Sequence, residues 1–275
     1  MLPLRDELPT RRAPIVTWAL IAINVVIFVF GALTTVQVAP NTSIPKNDLN
    51  VYEWGVYPCE VFDRCDNVAL DIPVKADGKP LDSGDVDQRT GEITAENVKT
   101  VRVDVDEHPA WLTVLTSAFL HGGWLHLGGN MLFLWIFGNN VEDAMSRPLF
   151  LLFYLAAAAV AALAQSGAEM NAQVPQVGAS GAIAGVIGAY LLLYPRARVL
   201  TWVTALLILF IHLPAWVVAG FWGISQFLPA LDQMFQPGTG AGVAYIAHLA
   251  GFVFGVLVIK FIAERNPIYE QIYKR

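Results

Sequence analysis

The chain has 275 residues, 55% of them apolar and 15% charged, with a net charge of −6 and a mean hydropathy of +0.51. A soluble globule is roughly 45–50% apolar and about 25% charged, so these figures exclude an ordinary soluble domain and a disordered chain. The acidic balance gives no reason to expect nucleic acid as a partner, and the expected surroundings are a lipid bilayer.

A spanning helix needs about 20 mostly apolar residues. Residues 1–14 read as a cytoplasmic tail with Arg5, Arg11 and Arg12, and residues 15–36 as transmembrane helix 1. That block is too long for the apolar core of a signal peptide and no small-x-small cleavage site follows, so the helix is read as retained. Residues 37–110 form a long outer loop with 15 acids against 7 bases. The loop holds Cys59 and Cys65, the two cysteines of the chain. On an oxidising side they can close a small disulfide loop, with two free thiols as the alternative. Asp77-Gly78 and Thr90-Gly91 read as turns. Val101, Val103 and Val105 alternate with charged residues, as in a strand. Residues from about 59 to 105 read either as a small outer subdomain that screens substrates or as a solubilising insert.

The remaining spans fall within 111–263. The block from Trp111 to about Met145 is broken at His121-Gly122-Gly123, which predicts an interfacial segment and then helix 2 from near Trp124. Helix 3 covers about 149–165, and helix 4 runs from near Ala179 to Tyr194-Pro195. Pro214 divides the apolar run 199–231 into an interfacial lead-in and helix 5. Helix 6 covers about 242–263, and residues 264–275 form a tail. The expected fold is an all-α polytopic membrane protein with six transmembrane helices and a long outer loop after helix 1. Arg147, Arg196, Arg198, Arg265, Lys274 and Arg275 lie on the side of the first tail, whereas the short connections 166–177 and 232–241 carry no Lys or Arg. By the positive-inside rule both termini are expected in the cytoplasm. Glu142 and Asp143, at the end of helix 2, read as solvated. His212 reads as interfacial, and Trp202, Trp216 and Trp222 as interfacial anchors or lipid-facing bulk.

Polar groups are expensive in a bilayer and point to function. Helix 2 carries His121, His126 and Asn130, and the last two share a face because they are four residues apart. Helix 4 opens with Gly178-Ala179-Ser180-Gly181, and helix 6 carries Ala247-His248. Singly, each has an ordinary reading as a backbone-bonded serine, a packed histidine or interhelical glue. Together, a serine and a histidine make a nucleophile and a general base, and donors on one face suit an oxyanion. Gly181 and Gly185 on helix 4, and Ala247, Gly251 and Gly255 on helix 6, form small-residue stripes that let backbones approach closely. No acid in a span offers itself as a third member. A three-histidine metal site or a transporter is the remaining alternative, but it leaves the Gly-x-Ser-Gly unexplained and no inverted repeat supports it.

The motifs Gly178–Gly181, Ala247-His248-x-x-Gly251-x-x-x-Gly255 and His121-x4-His126-x3-Asn130 resemble those of the rhomboid family of intramembrane serine proteases. The resemblance covers nearly all six spans. It implies Ser180 as nucleophile and His248 as base, with His126, Asn130 and the Ser180 N–H binding the oxyanion and His121 shaping the site. It implies no metal and no cofactor, single-pass membrane proteins as substrates, and an active site in the cell membrane that opens to the extracytoplasmic side. A non-proteolytic relative that binds transmembrane clients is the alternative. Two positions depart from the family pattern. Ala110-Trp111-Leu112-Thr113 lacks the usual Trp-Arg pair, and Ala184 stands where a Tyr often packs on the histidine. The second departure implies a wider pocket, unless Tyr245 or Phe252 fills the gap.

Overall fold

The computed structural model describes residues 1–39, 42–65, 69–75, 98–104, 108–204, 208–235, 243–264 and 266–273. The chain begins with strand β1 (Leu2–Asp6) and then helix α1 (Ile15–Leu33). Next come β2 (Thr35–Ala39), β3 (Thr42–Pro45), α2 (Lys46–Trp54), α3 (Pro58–Val61), β4 (Ala69–Lys75) and β5 (Val98–Asp104). Helix α4 (Ala110–Thr116) runs into a 3-10 turn at Ser117–Phe119. After a break at residues 120–123, α5 (Trp124–Phe133), a π-helical turn (Leu134–Gly138) and α6 (Asn139–Asp143) follow one another without interruption. Helices α7 (Arg147–Ala168) and α8 (Ser180–Leu193) precede the hairpin β6 (Arg198–Thr204) and β7 (Ile208–Pro214). Helices α9 (Ala215–Phe235), α10 (Tyr245–Ile262) and α11 (Pro267–Tyr273) complete the chain. Among the described residues α1, α7 and α10 are long and apolar enough to cross a membrane, and α8 and the stretch Ala110–Phe119 are shorter apolar helices.

The fold is mainly helical rather than all-α. The expected interfacial lead-in to helix 5 is the β6–β7 hairpin, paired from Arg198↔Pro214 to Thr204↔Ile208. Its β-branched and aromatic residues suit a pleated ribbon. Strand β1 adds to its edge, from Leu2↔Trp202 to Asp6↔Val199, and completes a three-stranded sheet. His212 on β7 is half exposed and pairs with Glu7 at 2.9 Å.

Glu142 and Asp143 are not solvated: they are 3% and 2% exposed. Glu142 accepts hydrogen bonds from the backbone N–H of Val16 (3.0 Å) and Thr17 (2.7 Å) and from the Thr17 hydroxyl (2.8 Å). The first N–H groups of a helix lack intrahelical partners and carry its positive end, which is why a carboxylate is buried against the start of α1. Asp143 accepts from the backbone N–H of Arg11 and Arg12 at 3.0 and 3.1 Å and pairs with both guanidinium groups. The arginines that mark this side in the sequence thereby fasten α1 to the end of α6.

At the same end, buried Asp6 accepts from the Tyr190 hydroxyl at 3.0 Å and from the Asn140 amide. Burial raises its carboxyl from 3.8 to about 6, against the opposing effect of those hydrogen bonds. A raised folded-state value favours the neutral form. The associated stabilisation is complete below pH 3.8 and is lost as the pH rises through about 6. The expected span is on the order of 3 kcal/mol. Asp6→Asn, which keeps the carbonyl acceptor, is expected to flatten the dependence of Tm between pH 4 and 6.5. Thermal melts in micelles check this, and an unchanged slope would disprove it.

At the opposite end the chain after α2 is strapped to the bundle. Val56 and Gln176 exchange backbone hydrogen bonds of 3.1 and 2.9 Å, and the Cys59 N–H donates to the Ala172 carbonyl at 3.2 Å. Cys59, fully buried, is joined to Cys65 in a disulfide with a Cα–Cα separation of 5.4 Å. Cys59 therefore belongs to a strap on the α7–α8 connection. Beyond it, β4 and β5 pair from Ala69↔Asp104 to Lys75↔Val98. The turns at Asp77-Gly78 and Thr90-Gly91, and Val105, lie outside the described residues.

Candidate active site

Three elements bring the site together: α5, α8 and α10. Helices α8 and α10 touch through their backbones. A Cβ on Gly251 would fall on the Gly181 carbonyl oxygen, and one on Gly255 on that of Gly185. A Cβ on Gly185 would stand 2.8 Å from the Cβ of Ala157 on α7, and one on Gly181 would collide with Ala161. Only small residues allow such an approach. Gly188, which the sequence reading did not single out, extends the stripe: a Cβ there would collide with the Phe252 carbonyl. Ala247 is buried in the same seam.

This approach places Ser180, the first residue of α8, beside His248 in the first turn of α10. The Ser180 hydroxyl lies 2.7 Å from His248 Nε2. At the first position of the helix the Ser180 N–H has no intrahelical partner. Gly178 precedes it with φ +127°, a backbone conformation that side chains resist, and its N–H donates to the Ser117 carbonyl at 2.9 Å. The His126 ring packs on that glycine, since an added Cβ would lie 2.8 Å from both Cε1 and Nε2. One turn deeper on α5, Asn130 is buried, and among the described residues its amide nitrogen has no hydrogen-bond partner. His121 is fully buried in the break before α5. Its ring stands edge-on to His126 with centroids 5.1 Å apart, and its two nitrogens have no partner among the described residues. The Asn47 amide fixes the break by donating to the His121 carbonyl at 3.1 Å. Among the described residues no three His, Cys, Asp or Glu side chains gather as a metal would need.

His248 is flanked by aromatic rings despite Ala184. Tyr245 stands edge-on at 6.2 Å between centroids, and Trp222 lies at 6.1 Å. Trp222 is therefore a wall of the site, and Phe252 packs on Trp222 at 6.1 Å instead of on the histidine.

Three glutamines that the sequence reading passed over surround the start of α10. Gln165, 1% exposed on α7, accepts from the Ala247 N–H at 3.1 Å. Gln233 on α9 accepts from the Tyr245 N–H and donates to the Val243 carbonyl, both at 3.2 Å. Gln226, also on α9, meets His248 Nδ1 at 2.8 Å through its Oε1. A signal was present: Gln226 and Gln233 are seven residues apart, on one face of an apolar helix.

The apolar helices and the polar cluster held among them define a polytopic membrane protein. A family model for the rhomboid domain matches residues 108–265. The chain belongs to the rhomboid family. It is 30% identical over 164 residues to a mitochondrial rhomboid protein 1 of Saccharomyces cerevisiae, covering 56% of this chain and 42% of the relative. It is 29% identical over 157 residues to a chloroplastic rhomboid-like protein 11 of Arabidopsis thaliana, covering 57% and 54%. Over 81 residues it is 42% identical to the rhomboid protease GluP of Bacillus subtilis, covering 30% of this chain and 15% of that one. The chain thus spans about half or less of these curated relatives.

Proposed function

We propose that this protein is an intramembrane serine endopeptidase that cleaves single-pass membrane proteins in or near their transmembrane segment. The observation that carries this reading is the 2.7 Å contact between Ser180 Oγ and His248 Nε2. The Ser180 O–H donates to Nε2, which takes the proton as the oxygen attacks the scissile carbonyl. The same proton passes to the leaving amine as the C–N bond breaks, and a water deprotonated by His248 then hydrolyses the acyl-enzyme and restores the Ser180 hydroxyl. Charge developing on the carbonyl oxygen meets the Ser180 N–H at the positive end of α8, the Asn130 amide nitrogen and His126. A helical substrate must unwind before its carbonyls are accessible, because they are hydrogen-bonded within the helix.

The same reading includes six spans over 15–36 and 111–263, termini in the cytoplasm, and a site at the outer ends of α5, α8 and α10 that opens away from it. The Val56–Cys59 strap and the α7–α8 connection it bonds to lie at that end. The protein is placed in the cell membrane. The Bacillus subtilis relative GluP is a rhomboid protease, which agrees with the proposed activity.

The test uses purified protein in liposomes with a labelled single-pass substrate and a serine-reactive fluorophosphonate probe. Ser180→Ala and His248→Ala are expected to abolish both cleavage and labelling. Labelling that depends on Ser180 without cleavage would mean an unsuitable substrate. Folded protein that shows neither signal would replace the protease reading with a client-binding one.

A further inference from the structure

We infer that Gln226 is the positioning residue for His248: its amide oxygen holds the imidazole in the tautomer that leaves Nε2 free to accept the Ser180 proton. The inference rests on the assignment of Ser180 and His248 as nucleophile and base. Four hydrogen bonds in series carry it. The Ser225 hydroxyl donates to the Trp222 carbonyl at 2.6 Å. With that proton committed, the Ser225 oxygen accepts from Gln226 Nε2 at 2.9 Å. The amide is thereby oriented, and Oε1 is the atom that faces His248 Nδ1 at 2.8 Å. An amide oxygen only accepts, so Nδ1 must carry the ring proton. Nε2 then holds a lone pair, as its 2.7 Å contact with the Ser180 hydroxyl requires.

A dyad without a third member leaves its histidine free to rotate and to change tautomer. Here α9 supplies the missing partner as a neutral group, which a bilayer accommodates at far lower cost than a carboxylate. When His248 becomes an imidazolium, its Nδ1–H still points at the Gln226 oxygen and that hydrogen bond strengthens, because one partner is now charged. Gln233 holds the start of α10 two turns further along α9, through Tyr245 and Val243. The alignment of the base therefore depends on α9 lying against α10. Gln226 touches neither substrate nor the reacting atoms and acts through His248.

The test compares full-length wild type, Gln226→Met, Gln226→Glu and Ser180→Ala in liposomes. Methionine keeps the length and packing of the side chain without the acceptor, and glutamate keeps an acceptor at the same reach. Gln226→Met is expected to lower kcat at least about tenfold, a part of what a positioned base contributes, with KM within about twofold because no substrate contact is lost. Gln226→Glu is expected to restore most of the loss. Nitrogen-15 spectra of the histidines, with the His248 signal assigned by its absence in His248→Gln, are expected to show a protonated Nδ1 in wild type and a mixture of tautomers in Gln226→Met. A wild-type His248 protonated at Nε2 overturns the inference, as does Gln226→Met with unchanged kcat and tautomer. If Gln226→Met does not fold, the wild-type tautomer and the activity of Gln226→Glu decide. Cleavage that survives Ser180→Ala would instead refute the protease reading, and the spectra would still show separately whether Gln226 holds His248.

Discussion

Gly251→Leu is expected to abolish proteolysis and probe labelling altogether, and to lower Tm sharply. The reason is geometric. The Gly181 carbonyl oxygen occupies the place where a Cβ on Gly251 would stand, so any side chain must drive α10 away from α8. The nucleophile sits one residue before Gly181 and the base three residues before Gly251. Separation of the two helices therefore acts directly on the 2.7 Å contact between them. A misplacement of about 1 Å in such a constellation can cost on the order of a hundredfold in rate. Overpacking of this kind costs typically about 1–3 kcal/mol, and here the obstacle is backbone rather than a side chain that can turn aside. Gly220→Ala on α9 is the control, since an added Cβ there meets nothing within 4 Å. It is expected to leave cleavage unchanged and to raise Tm slightly, because Ala favours a helix over Gly by about 1 kcal/mol. Proteolysis by Gly251→Leu at the wild-type rate would refute the claim that the approach of these helices sets the site.

Asn130→Ala is the second large effect, and it should separate catalysis from stability. The Asn130 amide nitrogen is buried and makes no hydrogen bond among the described residues, so its removal breaks none there. Alanine also suits the helix better than asparagine does. Tm is therefore expected to hold or rise. The rate is expected to fall about 10²–10³-fold in kcat, the usual loss when one oxyanion donor is removed, with KM little changed. Single-turnover cleavage in liposomes measures it. A stable variant with full kcat would remove Asn130 from the proposed mechanism. A variant that loses both Tm and activity would recast it as a structural contact.

The residues that stood out in the sequence are those whose chemistry is written in local spacing. Gly178–Gly181 spans the start of one helix, and the small-residue stripes and the pair His126 and Asn130 each lie within one, where a period of 3.6 relates position to face. What escaped depends on a partner far along the chain. Glu142 and Asp143 end a helix and carry charge, so they read as solvated. Their burial follows only once the start of α1, more than 120 residues earlier, is known to meet them. The lead-in before Pro214 is apolar, and apolarity alone does not distinguish an interfacial segment from a ribbon that needs β1 at its edge. Trp222 and the glutamines escaped for a related reason. A lone amide or indole in an apolar helix has no motif of its own and gains meaning only from the helix packed against it. The disulfide lay between these extremes, because its spacing allowed the bridge and only the fold shows that it closes on the α7–α8 strap.

Strand β1 also bears on how the molecule is assembled. Its partner β6 lies nearly 200 residues further on, with helices α1 to α8 between them. During synthesis β1 emerges long before β6 exists for it to pair with. It must wait, unpaired, until α1 to α8 have been made and β6 appears. The sheet closes only after β6 is made and ties the lead-in to α1 to the connection between α8 and α9. A ribosome paused before residue 198 would leave that seam open while most of the bundle was already in place.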